Sequence, residues 1–84
     1  MGTIGVKIKI MPTSPEVNLE EIKEKIRALI KDCKFEEVPI AFGLKAIIIL
    51  FSWPEDKELG KLEEEIKQIE NISSIQVMDI RKID

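Results

Sequence analysis

The chain has 84 residues, of which 44% are hydrophobic and 35% charged, and it carries a formal charge of −3. A chain of this size buries only about 60–65% of its unfolded surface, so one sheet under one layer of helices, in a single domain over residues 1–84, is the expected limit. The acidic balance weighs against nucleic acid as the main ligand, and no apolar run nears the ~20 residues of a membrane span.

Residues 3–11 alternate, with Ile4, Val6, Ile8 and Ile10 on one face and Gly5, Lys7, Lys9 and Met11 on the other. This predicts a half-buried strand, ended by the prolines Pro12 and Pro15. A helix follows. Asn18 is a suitable N-cap, Glu21 stands where a capping box needs it, and Val17 can staple onto Ile22. Leu19, Ile22, Ile26, Leu29, Ile30 and Cys33 recur at spacings of three and four and predict its buried stripe. The opposite face, with Glu20, Lys23, Glu24, Arg27 and Lys31, reads as solvated.

Residues 35–39 predict a short strand, and Pro39 places it at a sheet edge because proline cannot donate to a ladder. A turn then lies between the breakers Pro39 and Gly43. Phe42 sits inside it and has two readings: a plug at the end of the core, or an aromatic displayed as a contact anchor. Residues 44–51 form the longest apolar run and predict an inner strand. Ile47, Ile49 and Phe51 are placed under the helices, and Ala46, Ile48 and Leu50 on the open face.

Residues 52–56 read as a turn in which Trp53, before Pro54, covers an end of the core or meets a partner. A second helix is expected over residues 56–71, with Leu59, Leu62, Ile66 and Ile69 inward and Asn71 as a left-handed cap. Gly60 weakens it by roughly 1 kcal/mol relative to alanine. In the last strand, residues 74–82, Ile75 and Val77 are out of phase with Met78 and Ile80, which predicts a bulge near Asp79. The order β-α-β-β-α-β predicts an α+β ferredoxin-like sandwich, a four-stranded antiparallel sheet in the order 4-1-3-2 with both helices on one face.

The residues for covalent chemistry are missing. There is no histidine, no cysteine pair, no Gly-rich phosphate loop, and no Ser or Cys with a base partner. The expectation is a binding protein with no metal site, no cofactor and no enzymatic step of its own. The N-terminus lacks a signal-peptide pattern and Cys33 cannot form an internal disulfide, so a cytoplasmic location is expected.

The segment Pro39-Ile40-Ala41-Phe42-Gly43-Leu44-Lys45 resembles the Pro-hydrophobe-small-aromatic-Gly-aliphatic-Lys segment of the translation elongation factor 1-beta family. The Lys9-Ile10-Met11-Pro12 exit of the first strand, the Asn18-Leu19-Glu20 helix start and the C-terminal stretch from Ser74 to Ile83 are similar to the short archaeal members. The likeness covers essentially the whole chain and lacks the N-terminal extension that ties longer relatives to other subunits.

That resemblance implies a guanine-nucleotide exchange factor for the GTPase elongation factor 1-alpha, acting during polypeptide elongation. It implies that Phe42, with Pro39, Ile40 and Gly43 around it, packs on the GTPase's second domain. It also implies that Lys82, beside Ile83, reaches the magnesium and phosphate region of the nucleotide site. The chain departs from the family pattern in that Arg81 precedes Lys82 and Asp84 follows Ile83. The extra carboxylate would weaken the lysine's effect, and Arg81 would share its role. Two other classes stand beside this one. A self-associating regulatory or ligand-binding module would use Ile48 and Leu50 and form a dimer, where the exchange factor is a monomer when free. An RNA-binding domain on the same fold would need aromatics on the central strands, and the first strand offers Lys7 and Lys9 instead.

Overall fold

The computed structural model describes residues 2–83. Its elements are β1 (Thr3–Pro12), α1 (Leu19–Leu29), β2 (Cys33–Pro39), a single 3₁₀ turn (Ala41–Gly43), β3 (Lys45–Pro54), α2 (Leu59–Lys67) and β4 (Ile72–Lys82). The strands form one antiparallel sheet in the order β2-β3-β1-β4. This is the ferredoxin-like order, with the two most apolar strands inside and the Pro39 strand at an edge.

Alternation in β1 sends Val6, Ile8 and Ile10 into the core, with Ile8 and Ile10 fully buried. Ile47, Ile49 and Phe51 of β3 join them from the same face. Ile22 and Ile26 of α1 and Leu62 and Ile66 of α2 close that core, so both helices cover one face of the sheet. Each such side chain contributes about 1.5–3 kcal/mol by leaving water, and this is the main force holding the layers together. On the other face, Ala46 is fully buried and Ile48 only 8% exposed, which leaves Leu50 as the exposed apolar residue of β3 there.

Several boundaries differ from the sequence expectation. The α1 helix stops at Leu29, and Ile30 is already extended, its N–H still donating to the Ile26 carbonyl at 2.8 Å. Leu29 is therefore exposed, and Cys33 belongs to β2 rather than to the helical stripe. Asn18 caps the helix, but its Oδ1 accepts from Glu20 N–H at 3.0 Å, one residue earlier than a capping box requires. Lys23 is not solvated. It lies buried between α1 and β2, with its Nζ 2.6 Å from Glu37 Oε2 and 3.4 Å from Glu20 Oε1. The β3 strand runs on through Trp53 to Pro54, where a turn was expected. The pairing of β2 with β3 ends at Cys33 and Phe51, so Pro54 lacks only a bond that no neighbour offers. Trp53 packs edge-on against Phe51, centroids 6.0 Å apart, and covers the core end. The α2 helix is shorter than expected, and Asn71, with φ 72°, takes the left-handed position ahead of β4.

The bulge expected near Asp79 is present. Lys7 pairs with Asp79 and Ile8 with Val77, which leaves Met78 as the extra residue. Because side chains alternate along a strand, this single residue reverses the phase of everything after it. Ile80 and Lys82 then share the helix side with Val6 and Ile4, while Asp79 and Arg81 share the open face with Lys7 and Gly5.

Candidate functional site

The turn from β2 to β3 is held by its own backbone. Ile40 N–H donates to the Leu44 carbonyl at 2.7 Å, and Leu44 N–H donates to the Ala41 carbonyl at 3.2 Å. Closing so tightly forces two successive residues into the left-handed region, Phe42 at φ 59° and Gly43 at φ 78°. Glycine adopts that region without strain; phenylalanine there costs on the order of 1–2 kcal/mol. The ring gains nothing from the core in return, since Phe42 is 94% exposed. The core-plug reading therefore fails. A strained backbone holding a bare aromatic in water makes Phe42 a candidate contact residue. Ile40, 38% exposed, and Pro39, opposite Lys45 at the end of β2, stand beside it.

The second group of expected residues lies at the other end of the sheet. Lys82 pairs with Ile4, which pairs with Trp53 near the end of β3. The ten residues of β3 thus separate the two groups, about 30 Å at ~3.3 Å per residue, in a molecule 42 Å long. The family resemblance implies that both groups meet one partner, but the structure does not bring them together. Arg81 and Lys82 are also unlike each other. Lys82 lies on the helix side with its Nζ 3.7 Å from Glu55 Oε2. Arg81 lies on the open face, and its Nε donates to Asp79 Oδ2 at 2.7 Å. The two cations face opposite ways, so one cannot stand in for the other without turning the strand. Asp84 lies outside the described residues.

Two neighbours of the candidate residues were not expected from the sequence. Glu55 is fixed just past β3 by its N–H, which donates to the Gly2 carbonyl at 2.9 Å. Gly5 is the seat of the C-terminal tip. A Cβ there would meet Ile83 Cγ2 at 3.6 Å, and Ile83 N–H donates to the Thr3 carbonyl at 3.0 Å. A lone glycine within an alternating strand is the usual sign of such close approach, so this signal was readable. Among the described residues, no three His, Cys, Asp or Glu side chains gather as a metal site would require, and no helix is long and apolar enough to cross a membrane.

Comparison with known proteins shows the family. The EF-1 guanine nucleotide exchange domain family matches residues 5–83. The chain belongs to the elongation factor 1-beta family. Elongation factor 1-beta of Pyrococcus abyssi is 40% identical over 86 residues, covering 95% of this chain and 93% of that protein. That of Hyperthermus butylicus is 36% identical over 89 residues, covering 99% and 97%. That of Archaeoglobus fulgidus is 37% identical over 87 residues, covering 95% and 97%. A solved structure described as BlrP1 BLUF superposes with a TM-score of 0.60 over 99% of this chain and 56% of its own length. At 14% identity it shares the fold alone. In an elongation factor 1-beta chain, the bare ring of Phe42 and the cation of Lys82 are the natural candidates for contact with a second protein.

Proposed function

We propose that this chain promotes GDP release from the GTPase elongation factor 1-alpha, docking through the Phe42 turn and acting on the nucleotide site through Lys82. The observation that carries the reading is Phe42, a ring 94% exposed on a left-handed backbone, in a chain of the exchange-domain family. Pro39, Ile40 and Gly43 shape the docking turn; Ile83 steadies the tip that carries Lys82.

The mechanism is electrostatic. A P-loop GTPase holds its nucleotide through backbone donors, a lysine and a magnesium ion bridging phosphates. An ammonium delivered beside that ion repels it. Two unit charges ~4 Å apart interact by about 4 kcal/mol at an effective dielectric of 20, and a divalent ion feels more. The factor then stabilises the empty GTPase, and linkage requires nucleotide to weaken the factor's binding by the same ratio. No bond is made or broken, so the chain is not an enzyme in the covalent sense. In this reading residues 1–84 work as a single exchange domain, as a free monomer, in the cytoplasm.

The self-associating module is the weaker reading, because Ile48, which it needs on its surface, is only 8% exposed. The direct test is release of fluorescent GDP from elongation factor 1-alpha with and without this protein. Acceleration at substoichiometric factor supports the proposal; an unchanged release rate overturns it.

A further inference from the structure

The open face of the sheet is hollow at the end that carries the C-terminal tip. A groove of about 710 Å³ crosses all four strands there. Its floor is low because Gly5 and Ser52, which pair in register, are both small. Leu50, 39% exposed, and Ile83, 58% exposed, supply apolar walls. Its charged groups are Lys7, Lys31, Lys34 and Arg81 against Asp32 and Asp79. That is a local excess of two positive charges on a chain whose formal charge is −3. Arg81 is occupied by Asp79. Among the described residues, Lys7, Lys31 and Lys34 have no carboxylate within ion-pair distance.

We infer that this groove receives an acidic segment of the partner GTPase that also carries an apolar side chain, laid across the open face beside the tip. The inference rests on the exchange-factor reading and adds a third contact to it, on the face opposite Lys82. The chemistry selects this occupant. Unpaired ammonium groups Lys7 and Lys34 flank Leu50 in register across the sheet, so carboxylates and a hydrophobe can be met together. A second copy of this chain fits badly, since a two-fold contact through the groove sets its cations against their own copies. A single-stranded nucleic acid lacks its usual support, because the groove is lined by no exposed aromatic ring on which bases could stack.

The test is the affinity of Lys7→Gln/Lys34→Gln for nucleotide-free elongation factor 1-alpha, at low and at raised salt. Lys61→Gln/Lys67→Gln on α2 makes the same change in net charge away from the groove. The groove variant should bind about tenfold more weakly at low salt, with the difference shrinking as salt screens the contact, while the α2 variant follows the wild type. Lys34 is exposed and Lys7 half-buried, and a thermal melt matching the wild type shows that folding is not the cause. Equal affinities for the two variants overturn the inference while leaving the exchange reading intact, since the wild type still accelerates GDP release. It is also overturned if the wild type binds oligouridylate, or dimerises, in a manner that the Lys7→Gln/Lys34→Gln change abolishes.

Discussion

Lys82 Nζ and Glu55 Oε2 lie 3.7 Å apart, joining the last residue of β4 to the residue that follows β3. Both side chains are well exposed, 69% and 46%, so the pair is worth at most about 1 kcal/mol. Under the proposed function, Glu55 is the counter-ion that Lys82 would leave on reaching the nucleotide site. Glu55→Gln should melt within ~0.5 kcal/mol of wild type and raise GDP release at a subsaturating factor concentration by up to about fivefold. Slower release would instead make Glu55 a guide for the lysine.

Phe42 predicts a separation of folding from docking. Phe42→Ala removes a ring that touches little of its own chain, so its melt should stay within ~0.5 kcal/mol of wild type. Phe42→Gly relieves the left-handed strain and should melt at or above wild type. Both should weaken binding to the nucleotide-free GTPase by at least about 2 kcal/mol, roughly thirtyfold. A collapsed melt with unchanged affinity would make Phe42 a structural residue.

The pair between α1 and β2, buried at Lys23 and open to solvent at Glu37, gives a pH signature. Glu37 holds the Lys23 ammonium above its ordinary 10.5, chiefly by their hydrogen bond and against the cost of burial, and the same contact holds Glu37 below its ordinary 4.5. The lowered carboxyl stabilises the fold above about pH 4.5, and this is lost as pH falls through its folded value. The raised ammonium stabilises it below about pH 10.5, and this is lost as pH rises through its folded value. Between those limits the pair is intact. Glu37→Gln should lower the melting temperature at neutral pH, because Lys23 stays buried without its closest carboxylate, and the gap to wild type should close as pH falls below 4.5 and through the lowered folded value of Glu37. A constant gap across that range would show that packing, not charge, links the helix to the edge strand.

Most of the fold was legible because its signals are local. The Ile4-Val6-Ile8-Ile10 alternation, the breaks at Pro12 and Pro39 and the phase change at Met78 each act within a few residues, and each appears in the structure where the pattern placed it. The misreadings came from spacing that continued by coincidence. Cys33 sits three residues after Ile30 as a helix would have it, but Ile30 has already turned extended. Lys23 looked solvated because its partner, Glu37, is fourteen residues away and meets it only after β2 docks on β3. At the site, the Phe42 turn was readable from its flanking breakers. The opposed directions of Arg81 and Lys82, and the Glu55 counter-ion, depend on the bulge and on cross-strand register, which no single stretch of sequence carries.

The central claim is that one end of the sheet docks and the other acts on the nucleotide. It is tested most directly by GDP release from elongation factor 1-alpha at saturating factor, comparing wild type, Phe42→Ala and Lys82→Ala. Lys82→Ala should slow release about a hundred- to thousandfold, the usual loss for one well-placed electrostatic group, while binding the empty GTPase nearly as wild type does. Lowering magnesium should partly restore its rate. Phe42→Ala should reach nearly the wild-type rate once enough factor is added. Release by Lys82→Ala at the wild-type rate would contradict the account, whatever Phe42→Ala does.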